Sequence, residues 1–182
     1  MSAAVKLLTA EDLERISAEG YYELVDGVLI ELCPNNGEHA QTETNLVMLL
    51  VPHVRRNRLG RVLTGDPGFI LRRNPDTVRG PDIAFVSTER LPGPLPHRGF
   101  LEVMPDLAIE IVSPSNTPAE IQAKIRDYFD AGVRLIWVVY PESRRVQVIR
   151  SLQERFDLTD EDTLSGDDVI PGFACQVGEI FE

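Results

Sequence analysis

Two segments of the chain open with the same pair: Pro81-Asp82 before IAFV, and Pro105-Asp106 before LAIEIV. Glu110 stands at the centre of the second. Ala108 and Val112 flank it on one face, and Leu107, Ile109 and Ile111 mark the other. Both faces of this strand read as covered. A charge on a covered strand costs several kcal/mol unless it is paired, protonated or bound to a cation. Asp106 shares the face of Glu110 but lies about 13 Å away at ~3.3 Å per residue, too far to chelate the same ion. Asp82 meets Glu110 if their strands are neighbours. Two acids converging near a basic side chain are what a Mg²⁺ site for phosphodiester hydrolysis needs: hard oxygen ligands, retained water and a cation beside the phosphate. Lys124, fourteen residues after Glu110, is the basic candidate. It belongs to a helix that begins just beyond the acidic strand, at the edge of an apolar stripe of Ile121, Ile125, Tyr128 and Phe129.

The elements that must position these groups are legible in part. Thr117, Pro118 and Glu120 form a capping box with proline at the first helical position, and Gly132 is placed to end that helix. Thr9 and Asp12 open a short helix over roughly residues 10 to 18. YYELVDGVLIEL predicts a hairpin turning at Asp26-Gly27. Asn35-Asn36-Gly37 reads as a loop. From Glu38 to about Arg58 the spacing turns helical, with Leu46, Leu49, Leu50, His53 and Val54 on one face. Pro52 is expected to kink or split that helix. Short strands follow near residues 61–64, 68–72 and 82–86. The Pro- and Gly-rich segment LPGPLPHRGF reads as a surface loop able to cover or flank a site. LIWVVY and RVQVIR flank the turn PESR, and a last pair of short strands is expected around Pro171-Gly172-Phe173. The pattern predicts one α/β domain over residues 1–182, a mixed central sheet flanked by helices.

Composition narrows the function. The net charge is −11, which argues against a protein that coats nucleic acid, though not against a local basic patch. Arg55, Arg56, Arg58 and Arg61 form one arginine cluster, and Arg72, Arg73 and Arg79 another. No apolar run approaches the ~20 residues of a membrane span. The first residues lack a long apolar region, which argues against a secretory signal. Cys33 and Cys175 fit neither a disulfide framework nor a metal-ligand pattern, so a reduced cytoplasmic setting is the simplest expectation. Histidines at 39, 53 and 97 make no zinc site, no Ser-His-Asp arrangement is evident, and there is no Gly-rich phosphate loop.

The run ELVDG, the strand PDIAFV, the segment PDLAIEIVSPSN, the helix with KIRDYFDAGV and the strand LIWVVYP together resemble the Uma-two family of endonucleases. These are restriction-endonuclease-like proteins of the PD-(D/E)XK superfamily. The resemblance runs from about Thr9 to the closing PGF segment. It implies a restriction-endonuclease-like fold, a Mg²⁺ or Mn²⁺ cofactor and DNA as substrate. Asp82 and Glu110 would be metal ligands together with the backbone carbonyl of Ile111. The superfamily's E-x-K would put lysine at 112, where this chain has Val112, and the resemblance makes Lys124 the substitute. Glu23 and His39 match positions where the family carries polar residues. Glu23 would be a further ligand or orient water, and His39 would contact phosphate or serve as an acid.

Bland readings stand beside these. Glu110 could be a structural partner of Lys124, Glu23 could pair across its hairpin, and His39 could belong only to the start of its helix. Tyr128 and Trp137 read as core. The competing function is a catalytically degenerate, dimeric binding or scaffold module of the same fold. A hydrolase for another phosphate ester ranks last. A homodimer is expected only because cutting both strands of a duplex would take two sites.

Overall fold

A computed structural model describes residues 7–17, 20–91 and 93–182. In chain order the elements are α1 (Ala10–Ile16), β1 (Tyr22–Val25), β2 (Val28–Glu31), α2 (Gly37–Asn57), β3 (Gly60–Thr64), β4 (Phe69–Arg72), β5 (Thr77–Arg79), β6 (Ile83–Ser87) and β7 (Leu107–Ile111). They continue with α3 (Pro118–Ala131), β8 (Leu135–Tyr140), β9 (Arg145–Ile149), β10 (Arg155–Leu158), β11 (Thr163–Ser165), β12 (Ala174–Gln176) and a closing 3₁₀ turn, Val177–Phe181.

The central sheet has six strands in the order β10-β9-β8-β7-β6-β3. β7 and β8 run parallel and α3 connects them, while β6 lies antiparallel to β7. A four-stranded sheet, β2-β1-β5-β4, and the pair β11-β12 complete the architecture. The α/β class with a mixed sheet is therefore observed. No described helix is long and apolar enough to cross a membrane.

Strand β7 is the axis of the molecule. All five of its residues are buried, because it is central in the sheet and covered on both faces. Leu107, Ile109 and Ile111 pack with Leu46, Leu50 and Val54 of α2 and with Trp137. Ala108 packs on the other side with Ile121, Ile125 and Tyr128 of α3. Period-two alternation therefore turns Glu110 towards α3, the helix that carries Lys124.

Both expected capping boxes are present, Thr9 with Asp12 and Thr117 with Glu120. The hairpin turns at Asp26 and Gly27 with φ of 51° and 76°, the two positive values its tight turn requires. Asn36 is the N-cap of α2, its side chain accepting from the His39 backbone N–H. Pro52 does not split α2, which runs unbroken to Asn57. The carbonyl that Pro52 cannot bond belongs to Met48, a residue 68 % exposed, so water is at hand for it. Two strands had no clear sequence signal, β5 and β10.

Candidate active site

The register pairs Ile83 with Ile109, so Asp82, one residue before β6, comes opposite Glu110. The Asp82 carboxylate is fixed from two sides. Oδ2 accepts from the Ile111 backbone N–H at 2.6 Å, and Oδ1 lies 3.1 Å from Nε2 of His39, in the first turn of α2. Glu110 is held by α3: Lys124 Nζ donates to Oε2 at 2.8 Å and the Tyr128 hydroxyl donates to Oε1 at 2.5 Å. Residues 124 and 128 are one turn apart, so a single helix face grips both oxygens.

Glu23 stands behind Lys124 rather than across the hairpin. Its Oε1 lies 3.3 Å from Lys124 Nζ and accepts from the Gly80 N–H at 3.0 Å. Its Oε2 accepts from Arg79 Nη1 at 2.7 Å, and Arg79 also donates twice to Asp127. Gly80 leaves no room for a side chain: a Cβ there would come 2.8 Å from the Asp66 carbonyl oxygen, so the turn carrying Asp66 closes over the acids. Glu43, one turn beyond His39 on α2, accepts from the Thr64 hydroxyl and from the Gly65 N–H.

These groups surround a cleft of about 240 Å³ lined by His39, Asp66, Asp82, Glu110, Ile111 and Lys124 among others. All the residues singled out in the sequence are thus brought together, with Glu23 just behind the lining. Glu43, Asp66, Arg79 and the hydroxyl of Tyr128 complete the constellation. The four-residue spacing of His39 and Glu43 on a helix is a signal for Glu43. Asp66 lies in an irregular turn with no such signal. Two expectations need correcting. Arg72, Arg73 and Arg79 form no free patch, because each is engaged by an acid: Asp26, Glu11 with Asp76 and Glu102, and Glu23 with Asp127. The 91–100 loop lines a different groove, beside Val62 and Pro67, and none of its described residues lines the cleft.

Acids outnumber fixed cations here. Glu23, Glu43, Asp66, Asp82 and Glu110 face Lys124 and Arg79. Burial raises the pKa of Glu110, Asp82 and Glu23 add to the rise, and Lys124 opposes it. The Lys124 pKa is raised as well: burial would lower it, but Glu110 and Glu23 outweigh that and keep the lysine protonated. The pair is an ion pair carrying more negative charge around it than it neutralises. For His39, burial is outweighed by the Asp82 hydrogen bond and by the charges of Asp82, Glu43 and Asp66, so its pKa is raised. Its Nδ1 is buried without a partner.

Desolvation in the cleft mouth and the nearby Asp82 charge push Asp66 up to about 6, against the pull of Lys124. The folded value is above the unfolded one, so the folded state holds this proton more tightly. The stability from Asp66 is present below about pH 4 and lost as pH rises through about 6. Without divalent cations, Asp66→Asn should be more stable than wild type at pH 8 and equal to it at pH 4 in urea unfolding. The side chain is exposed enough for solvent screening to hold the gain to about 1 kcal/mol or less. Asparagine also tolerates the left-handed backbone, where Asp66 has φ 54°.

Among the described residues, no three His, Cys, Asp or Glu side chains could hold a metal ion on their own. A divalent ion would have to combine two carboxylates with backbone oxygen, water or substrate. Asp82, Glu110 and the Ile111 backbone offer hard oxygens, and the surplus of acids suits a cation.

No curated protein matches the chain. A crystal structure titled as a putative nuclease belonging to DUF820, from Anabaena variabilis ATCC 29413, superposes with a TM-score of 0.81 at 19% identity, covering 96% of this chain and 97% of that one. At that identity the likeness shows the fold. The family model Uma2, described as "Putative restriction endonuclease", matches residues 10–178. With nearly its whole length matched, the chain belongs to the Uma2 family.

Proposed function

We propose that this protein is a nuclease that hydrolyses DNA phosphodiester bonds with a Mg²⁺ or Mn²⁺ ion. One observation carries the reading: Asp82 and Glu110 come opposite one another on neighbouring strands, with Lys124 Nζ 2.8 Å from Glu110, in a cleft with excess acid. Asp82, Glu110 and the Ile111 carbonyl would hold the ion. When bound, the ion would lower the pKa of water and neutralise phosphate charge. Lys124 would orient the attacking water and donate to a phosphate oxygen as charge builds there. Arg79 holds Glu23, which in turn holds Lys124; Tyr128 fixes Glu110, and His39 fixes Asp82 while standing close enough to the cleft to meet a phosphate. Two free cysteines, one exposed and one buried, suit a reducing compartment such as the cytoplasm. Cutting both strands would call for a second copy of the site, hence a homodimer.

One observation favours the catalytically degenerate reading: both Glu110 oxygens already accept protein hydrogen bonds. In that case Lys124 is simply the counter-ion. Incubation with supercoiled plasmid separates the two. Wild type should cleave with Mg²⁺ or Mn²⁺ and stop on chelation, and Asp82→Asn should be slower by a factor on the order of 10² or more. A wild type inert with both metals would overturn the nuclease reading.

A further inference from the structure

We infer that Arg55, Arg56, Arg58 and Arg61, at the far end of α2, form a docking surface for the phosphate backbone of a nucleic acid. The identity of this polyanion rests on the nuclease reading. The cleft cannot hold a backbone by charge alone: among the described residues Lys124 is the one lysine or arginine that lines it, and it already lies between Glu23 and Glu110. The chain as a whole carries −11 and repels polyanions. A substrate of this class therefore needs a cationic foothold elsewhere.

These four arginines supply one. All are exposed, and among the described residues none forms an ion pair, whereas most of the other arginines do. Glu89, near them in the turn after β6, pairs with none of them. The helix dipole accounts for cations at Arg55 and Arg56, in the last turn, but not for Arg58 and Arg61 beyond it. The backbone that presents them is fixed. The Arg58 N–H caps the carbonyls of Val54 and Arg55, the Leu59 N–H bonds Val54, and Arg61 lies opposite Val86 in the sheet. A groove of about 310 Å³ is lined by Arg55 and Arg61. Strand β3 leads from this end towards Asp66 at the cleft. Its five residues at ~3.3 Å span about 16 Å before the turn at Gly65 and Asp66, or roughly five base pairs at ~3.4 Å each. One short duplex can reach both places.

The test is duplex binding by fluorescence anisotropy, with a labelled 20-base-pair DNA in chelator across a range of salt. Wild type is compared with Arg55→Gln/Arg56→Gln/Arg61→Gln. Arg58 is kept because its backbone is left-handed, with φ 53°. The variant should stay folded, its melting temperature lowered only slightly by the lost charges at the helix end and the lost Arg61 bond to the Gly93 carbonyl. It should bind on the order of tenfold or more weaker, and its slope of log affinity against log salt should fall by about 2.7, ~0.9 for each phosphate no longer neutralised. Equal affinity and slope, or no binding by wild type, would overturn the proposal. So would a variant that turns from dimer to monomer in sedimentation, since the arginines would then join two copies. The same proteins with Mg²⁺ or Mn²⁺ keep the two readings apart. Patch-dependent binding without cleavage supports the docking surface and removes the nuclease. Metal-dependent cleavage equal in both proteins at every salt concentration does the reverse.

Discussion

Lys124→Ala should destabilise the fold by about 3–5 kcal/mol near pH 8, the cost of leaving buried carboxylates without their cation. Lys124 Nζ is within 3.3 Å of Glu23 and 2.8 Å of Glu110. Arg79 still neutralises Glu23, so the burden falls on Glu110. Its carboxyl pKa is already raised by burial and rises further when the lysine goes. The folded state of the variant then takes up a proton that the unfolded chain, near its ordinary value of about 4.3, does not hold. The loss in stability should therefore shrink as pH falls towards 5, the sign expected of a raised carboxyl pKa. Adding Glu110→Gln to Lys124→Ala removes the stranded charge and should restore part of the stability, so the two changes are non-additive in urea unfolding. A Lys124→Ala protein as stable as wild type at pH 8 would show that this ion pair does not hold the site together.

Glu110→Gln should leave the fold nearly intact and slow metal-dependent DNA cleavage by a factor on the order of 10³ or more, about 4 kcal/mol of barrier. Glutamine keeps the shape and an oxygen for Lys124 Nζ, its amide N–H can donate to the Tyr128 hydroxyl once that turns to accept, and Lys124 keeps Glu23. A stability change below about 1.5 kcal/mol is expected, within the range of one altered hydrogen bond. Activity and stability thus separate: Glu110 is needed for the reaction, Lys124 for both. A folded Glu110→Gln protein that cleaves at the wild-type rate would remove Glu110 from the mechanism.

The residues that position this site were unequally legible. Glu110 and Lys124 could be placed from the sequence because local rules govern both: period two along β7, and a capped helix starting just after it. Asp82 opposite Glu110 was only conditional, since nothing local says which strands are neighbours. Tyr128 read as core, and it is fully buried; that its hydroxyl reaches Glu110 depends on where α3 lies on the sheet. Arg79 read as part of a basic cluster, but β5 is three residues long and carried no pattern to show that it is buried between Glu23 and Asp127. Asp66 owes its place to a turn that passes over Gly80, a long-range approach with no local signature. Pro52 was weighed by its effect in a helix interior, while its exposed side of α2 leaves the unbonded carbonyl near water.

The nuclease reading depends most on Asp82 and Glu110 sharing one divalent ion. Titration of Mn²⁺ by calorimetry into wild type, Asp82→Ala and Glu110→Ala, each with and without a short DNA duplex, tests it most directly. Saturable binding is expected in wild type, strengthened by duplex, and lost in both variants. Undiminished binding in either variant, or none in wild type even with duplex present, would contradict it and leave Glu110 as the structural partner of Lys124.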